Sequence, residues 1–262
     1  MTIFQSIILG AVQGITEFLP ISSSGHLVLL QKILKIDGPS LFFDTMVHAG
    51  TLGAVVIALR REVLAILKNP FQKLVLLLAV ATLPVVAAAL LFKDTIENAF
   101  HGGAGLGPAF LLTACALAVS ERVSARAART AGKRLDNITL ADALVIGVCQ
   151  SIAILPAVSR SGLTLSGSLL RNIDRGDAAR FSFLLSIPAI LGALVLQAAS
   201  FGEGGPATSP IPLATGTLAA FATGLLSVNL MLKIVREKRL FGFAVYTAVL
   251  GILCIVFSDL LR

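Results

Sequence analysis

The sequence predicts an all-α integral membrane protein, an inverted-topology repeat of six transmembrane helices plus two re-entrant helix pairs. Three observations predict it. The chain is 56% hydrophobic and 13% charged, with mean hydropathy +0.92, whereas a soluble domain carries about 25% charged residues. Two polar stretches interrupt apolar runs at matching intervals, Gln13–His26 (QGITEFLPISSSGH) and Gln150–Gly162 (QSIAILPAVSRSG). Finally, the basic residues segregate: the loops around 60–73, 122–134, 171–180 and 233–239 hold 16 of the 21 Lys and Arg. With both pairs re-entrant and six segments crossing, those loops share one side, which the positive-inside rule makes cytoplasmic. Both termini then face outward, and the two breaks enter from opposite sides and meet within the bilayer.

Each element has a local reason. Thr2–Phe18 is an apolar helix in which Gln13 and Glu17, four residues apart, share a face. Pro20 lacks an N–H and restricts Leu19, so it ends that helix. Ser22, Ser23 and Ser24 cap the next helix, Ser22–Leu34; Gly25 admits close approach, and His26 falls in the first turn. Leu41–Leu59 and Phe71–Phe92 are long enough to span. Asp44 and His48 share a face of the former, either as a satisfied structural pair or as functional groups. Gly105–Glu121 spans and continues into a polar helix, where Arg122, Arg126, Arg129 and Lys133 mark a solvated face near lipid headgroups. Leu140–Leu155 and Ser161–Leu170 form the second broken pair, and Asp177–Ala199, Leu213–Leu232 and Gly242–Leu260 span. Gly102–Gly107 and Gly202–Pro212 read as external loops, and Asn229 as an interhelical hydrogen bond.

The chain reads as one membrane domain, 1–262, with repeat one at about 1–121 and repeat two at about 139–262. Gly10 and Gly147, Gln13 and Gln150, and Gly25 and Gly162 correspond. The chemistry of the copies is unequal: Ile154 stands where the first has Glu17, Leu163 where it has His26, and Arg160 is new. The net charge of +7 is read as attraction to anionic membrane lipids, with no nucleic-acid partner. Cys115, Cys149 and Cys254 form no CxxC pair and read as small apolar fillers. No basic region precedes the first apolar run, so no cleaved signal is expected.

Brought together, the breaks hold the parts of phosphoryl transfer. Arg160 is a fixed cation whose forked donors suit a phosphate. Serine hydroxyls and helix-start N–H groups at Ser22, Ser24, Gly25, Ser159, Ser161 and Gly162 suit phosphate oxygens. Glu17 and Gln13 offer oxygens to Mg²⁺ or Ca²⁺, with His48 a further candidate. His26 can exchange a proton, and a neighbouring serine can be a nucleophile. Such a site at membrane depth calls for a lipid-tailed substrate. A secondary transporter or lipid-phosphate flippase with the same inverted repeat is the rival reading.

GITEFLPISSSGH (Gly14–His26) and LPAVSRSG (Leu155–Gly162) resemble the two motifs of the bacterial undecaprenyl-diphosphatase, bacitracin-resistance family. The resemblance extends to FDTMVHAGT (Phe43–Thr51) and RFSFLLSIPAILGA (Arg180–Ala193), and covers essentially the whole chain. It implies hydrolysis of undecaprenyl diphosphate to the monophosphate and phosphate, recycling the carrier of cell-wall synthesis. It also implies an inner-membrane location, a periplasm-facing site and a need for Mg²⁺ or Ca²⁺. By this resemblance the catalytic residues are Glu17, Ser23 as nucleophile, His26, and Arg160 as phosphate binder. Gln13 is the Gln variant of the first metal-pattern position, and Ala157 replaces a family glycine. Attack by Ser23 and attack by metal-bound water both fit, and the oligomeric state is open, a homodimer included.

Overall fold

The computed structural model describes residues 1–36, 41–92, 105–127, 132–200, 209–237 and 240–258. Among them are eleven α-helices and no named strand: α1 Ile3–Phe18, α2 Ser23–Ile33, α3 Leu41–Ala58, α4 Arg60–Lys68, α5 Lys73–Leu91, α6 Leu106–Ala127, α7 Leu140–Ile152, α8 Arg160–Leu170, α9 Arg175–Ser200, α10 Pro210–Glu237 and α11 Phe241–Val256. Four of these, α5, α6, α9 and α10, are long and apolar enough to cross a membrane, and α3 with α4 makes a fifth if that pair counts as one span. Many large side chains, among them Leu83, Leu90, Val195 and Leu226, are exposed along these helices, the surface a lipid-facing bundle presents.

Where the structure differs from the sequence reading, the causes are local. The basic loop at 60–73 contains a helix, α4, bent 82° from α3 and with no buried residue. Its charges keep one face polar, so the apolar periodicity of a span does not reveal it. Leu106 and Gly107, expected in a loop, are helical, as are Pro210 to Pro212. Proline is tolerated there because the first helical N–H has no intrahelical partner. Gly105 and Ser209 immediately precede the two helices, and 102–104 and 202–208 lie outside the described residues. Asn229 bonds the Leu225 carbonyl of its own helix at 2.8 Å rather than a neighbouring helix.

Helix starts are capped by sequence. Thr2 and Gln5 form a capping box at α1, and Thr139 and Asp142 form one at α7. The main packings are α1 on α10, α7 on α5, α6 on α11, and α3 against α9 and α10. Small residues permit the close crossings. A Cβ on Gly10 would stand 2.0 Å from the Gly216 carbonyl oxygen, and one on Gly147 would stand 2.5 Å from that of Ala81. Ser227 and Thr223 of α10 also donate to the Ile15 and Ala11 carbonyls of α1, at 2.8 and 3.1 Å. The apolar core includes fully buried Phe18, Phe181 and Leu184, with Phe18 edge-on to Phe183 at 5.5 Å.

One end of the bundle is tied by charge. Lys133 N–H bonds the Asn172 carbonyl at 2.7 Å, and Asp174 N–H bonds that of Lys133 at 2.8 Å. Asp142 accepts from Lys133 at 2.9 Å and Arg171 at 2.7 Å. Buried Glu121 accepts from Arg175 at 2.5 Å and from Leu240 N–H at 2.7 Å. These bonds fix both ends of the α7–α8 pair, and so the place of the second break.

Candidate functional site

The two breaks are built alike. Ser22 caps α2 by accepting from Gly25 N–H at 3.2 Å, and Ser159 caps α8 by accepting from Gly162 N–H at 3.1 Å. The Gly25 and Gly162 amides are therefore engaged within the caps. Each turn holds a non-glycine residue in left-handed backbone, Ser22 at φ 70° and Ala157 at φ 62°. Such a conformation costs roughly 1–2 kcal/mol for an L-residue, so the surrounding contacts must hold it. Ser161 Oγ donates across the breaks to the Leu19 carbonyl at 2.8 Å, and Ser159 N–H donates to Thr113 Oγ1 on α6 at 3.1 Å.

The first residue of each returning helix reaches the same carboxylate. Arg160, opening α8, bonds Glu17 Oε1. Ser23, opening α2, donates to Glu17 Oε2 at 2.5 Å. Gln13 Nε2 donates to the same oxygen at 2.9 Å, one helical turn earlier, as the four-residue spacing requires. His48 Nε2 stands 3.8 Å from it. The Glu17 side chain is 5% exposed and that of Arg160 18%. A buried carboxylate must be paired and hydrogen-bonded to persist, and Glu17 is both.

Glu17, Ser23, His48 and Arg160 line a cavity of about 220 Å³, and Gln13 lies outside its lining. Ser22, Ser24, Ser159 and Ser161 share its wall, and Val85, Ile154, Ile190 and Ala193 form an apolar side. A cation and hydroxyls together with apolar side chains in one cavity suit a phosphate attached to a hydrocarbon.

His26 does not face this cavity. Its Nδ1 bonds the Ser22 carbonyl at 2.7 Å, and its Nε2 bonds Tyr246 Oη at 2.7 Å. The imidazole lining the cavity belongs to His48, whose Nδ1 bonds the Asp44 carbonyl at 2.7 Å. The Asp44 carboxylate accepts from Gln31 at 3.0 Å.

The metal expectation meets a sparse donor set. Among the described residues no three His, Cys, Asp or Glu cluster as a metal site. Glu17 supplies one carboxylate, and Gln13 Oε1 is buried without a hydrogen-bond partner. One carboxylate plus an amide oxygen fits an ion that takes its remaining ligands from phosphate and water, as Mg²⁺ does.

Three further residues belong to the site's surroundings. Gln150 lines the cavity with its Oε1 buried and unpartnered; its correspondence with Gln13 is the signal that points to it. Thr113 and Tyr246 have no such signal, because each reaches the breaks from a helix distant in sequence. Tyr246 is the only tyrosine in the chain, yet nothing in its local sequence ties it to His26.

Comparison with known proteins places the chain in a family. Residues 6–253 match the family model described as Bacitracin resistance protein BacA. An undecaprenyl-diphosphatase of Carboxydothermus hydrogenoformans is 47% identical over 98% of this chain and 97% of its own. Undecaprenyl-diphosphatase 4 of Bacillus thuringiensis is 44% identical over 97% of both. An undecaprenyl-diphosphatase of Syntrophotalea carbinolica is 38% identical over 96% of this chain and 97% of its own. With the match running through both breaks and nearly end to end, the chain belongs to the bacitracin resistance protein BacA family.

Proposed function

We propose that this protein is an undecaprenyl-diphosphatase, releasing phosphate from undecaprenyl diphosphate and returning the monophosphate carrier to cell-wall synthesis. The relatives bear that name over nearly their full lengths, so the transporter reading is not favoured. The observation that carries the chemistry is the meeting of Ser23 and Arg160 on opposite oxygens of buried Glu17.

The residues divide the work. Arg160 keeps further N–H donors for the diphosphate and neutralises charge that builds on the transferred phosphoryl group. Ser23 Oγ attacks the terminal phosphorus as its proton passes to Glu17, which already accepts it. The bridging P–O bond breaks and undecaprenyl phosphate leaves. Water then hydrolyses the phosphoserine and frees inorganic phosphate. The Ser22, Ser24, Ser159 and Ser161 hydroxyls bind phosphate oxygens, and the apolar wall takes the first part of the lipid tail. Glu17 and Gln13 would hold Mg²⁺ or Ca²⁺, which when bound supplies further charge neutralisation.

The inverted repeat is part of the same proposal. It is supported by the exchanged packings (α1 on α10, α7 on α5) and by the corresponding glycines that allow them, Gly10 and Gly147. The matched caps at Ser22 and Ser159 support it too. With α1–α2 and α7–α8 re-entrant and six segments crossing, the basic loops lie in the cytoplasm. The cavity then opens to the periplasm of an inner-membrane protein.

The test is phosphate release from undecaprenyl diphosphate by the purified protein in detergent, with and without EDTA, beside Ser23→Ala and Arg160→Ala. Release that EDTA and both substitutions abolish is expected, with phosphate trapped on Ser23 in acid-quenched wild type. Near-normal turnover of Ser23→Ala would reject the nucleophile, and no release from folded wild type would reject the phosphatase.

A further inference from the structure

His26 is the ionisable residue of the first motif that does not line the cavity. Its surroundings determine which ring nitrogen carries the proton. A carbonyl oxygen only accepts, so Nδ1, 2.7 Å from Ser22 O, must be the N–H. In the neutral ring Nε2 is then a lone pair, and Tyr246 Oη at 2.7 Å donates to it. The two rings lie nearly parallel, 10° apart with centroids 5.7 Å apart, and Phe110 closes edge-on at 5.6 Å and 89°. Both nitrogens are occupied and the ring is fixed on two sides, an arrangement for holding rather than for delivering a proton into the cavity.

What His26 holds is the Ser22 carbonyl, which also accepts from His26 N–H at 3.2 Å. Ser22 is the left-handed residue of the break, at φ 70°. It immediately precedes Ser23, whose Oγ reaches Glu17. A rotation of the Ser22 peptide would swing Ser23 away from the carboxylate, and the side-chain bond from His26 opposes that rotation.

We infer that Tyr246 is a positioning residue of the reaction site: its hydroxyl, bonded to Nε2, fixes the His26 ring from the side opposite the Ser22 carbonyl, and His26 clamps the strained Ser22 carbonyl so that Ser23 stays aimed at Glu17. This rests on the phosphatase reading above for its kinetic consequence, but the clamp itself is a structural statement. It joins α11, near the end of the chain, to the first break. Catalysis is sensitive to such aiming because ångström displacements of a nucleophile cost large factors in rate.

The test is Tyr246→Phe, which removes the hydroxyl and keeps the ring, read by steady-state phosphate release and by ¹⁵N NMR of histidine-labelled protein. The His26 signals are identified by their loss in His26→Asn. Loss of one hydrogen bond should lower kcat about tenfold and leave KM within about twofold. The NMR should show His26 keeping its proton on Nδ1, as the Ser22 carbonyl requires, with that proton exchanging with water about tenfold faster because the ring is no longer fixed at Nε2. Unchanged kcat, or Nδ1–H exchange as slow as in wild type, overturns the clamp.

If Tyr246→Phe melts too early for kinetics, His26→Asn against His26→Gln decides. Asn places an amide N–H where Nδ1 donates, and Gln places it at the other end of the ring. Retention by Asn of about tenfold more activity than Gln supports the clamp, and equal loss overturns it. Wild type that releases no phosphate would refute the phosphatase reading, and the Nδ1–H exchange measurement would still decide the clamp.

Discussion

Removing Arg160 should damage stability and activity separately, and a second substitution at Glu17 should restore only the first. Glu17 is buried at 5% side-chain exposure and accepts from Arg160, Ser23 and Gln13. Arg160→Ala takes away the only full positive charge bonded to it among the described residues, and leaves a carboxylate with two neutral donors. Breaking a buried pair from one side costs about 3–5 kcal/mol. The 18% exposure of the Arg160 side chain gives the orphaned charge some access to solvent, so the lower end, about 3 kcal/mol, is expected. Glu17→Gln in the same background removes the charge, and the two substitutions should couple by about 2 kcal/mol. The assay is denaturant or thermal unfolding of wild type, both single variants and the double variant in one detergent, with phosphate release measured on each. Turnover should fall about 10²–10³-fold or more in all three variants, the scale for losing a charge-stabilising donor. Additive stabilities, with no recovery in the double variant, would refute the reasoning that Arg160 and Glu17 compensate each other in the resting site.

Other substitutions test the packing and the breaks. Gly10→Ala should cost about 3 kcal/mol, because its Cβ would meet the backbone oxygen of Gly216 at 2.0 Å and backbone cannot step aside. Gly192→Ala, where nothing lies within 4 Å, should be neutral or stabilise by up to about 1 kcal/mol on helix propensity, and melting curves compare the two. Ala157, at φ 62°, should accept glycine within about 1 kcal/mol, since relief of strain offsets the freer unfolded chain, whereas Ala157→Val should destabilise by about 2 kcal/mol. Burial alone would raise the Asp142 carboxyl, but the Thr139 N–H, the Lys133 ammonium and the Arg171 guanidinium outweigh it and hold its pKa well below the ordinary value. Its contribution is therefore present above the unfolded carboxyl's pKa near 4 and lost as pH falls below it. Unfolding midpoints measured from pH 6 to 3 should drop on the acid side, and less in Asp142→Asn.

Much of the site was legible because its pieces are local. The Gln13–Glu17 spacing put both side chains on one helix face, and they bond. Pro20 and the serines ended one helix and opened another, within one residue of the observed bounds. The matching interval in Gln150–Gly162 marked a second break of the same construction, and Arg160 reaches Glu17 as the complementarity of the two stretches required. The helix α4 was less legible, since its exposed charges carry no span-like apolar run. The placement of His26 and His48 was not legible for another reason. The chain places His26 three residues after Ser23, but the first turn of α2 directs its ring to Tyr246. His48, on a separate helix, is the one that lines the cavity.

Composition, spacing and charge by themselves determined that this is a helical membrane protein with two polar breaks and phosphate-type chemistry. Those properties follow from backbone satisfaction in hydrocarbon, proline and serine stereochemistry, and helical periodicity, all of which act within a few residues. Only the tertiary structure decided that the first residues of two helices 137 positions apart share one carboxylate, and that His26 is bound to Tyr246. Direction at that range is set by how α1 seats on α10, α7 on α5 and α6 on α11. Glycines fix those seatings, because only they let two backbones approach so closely.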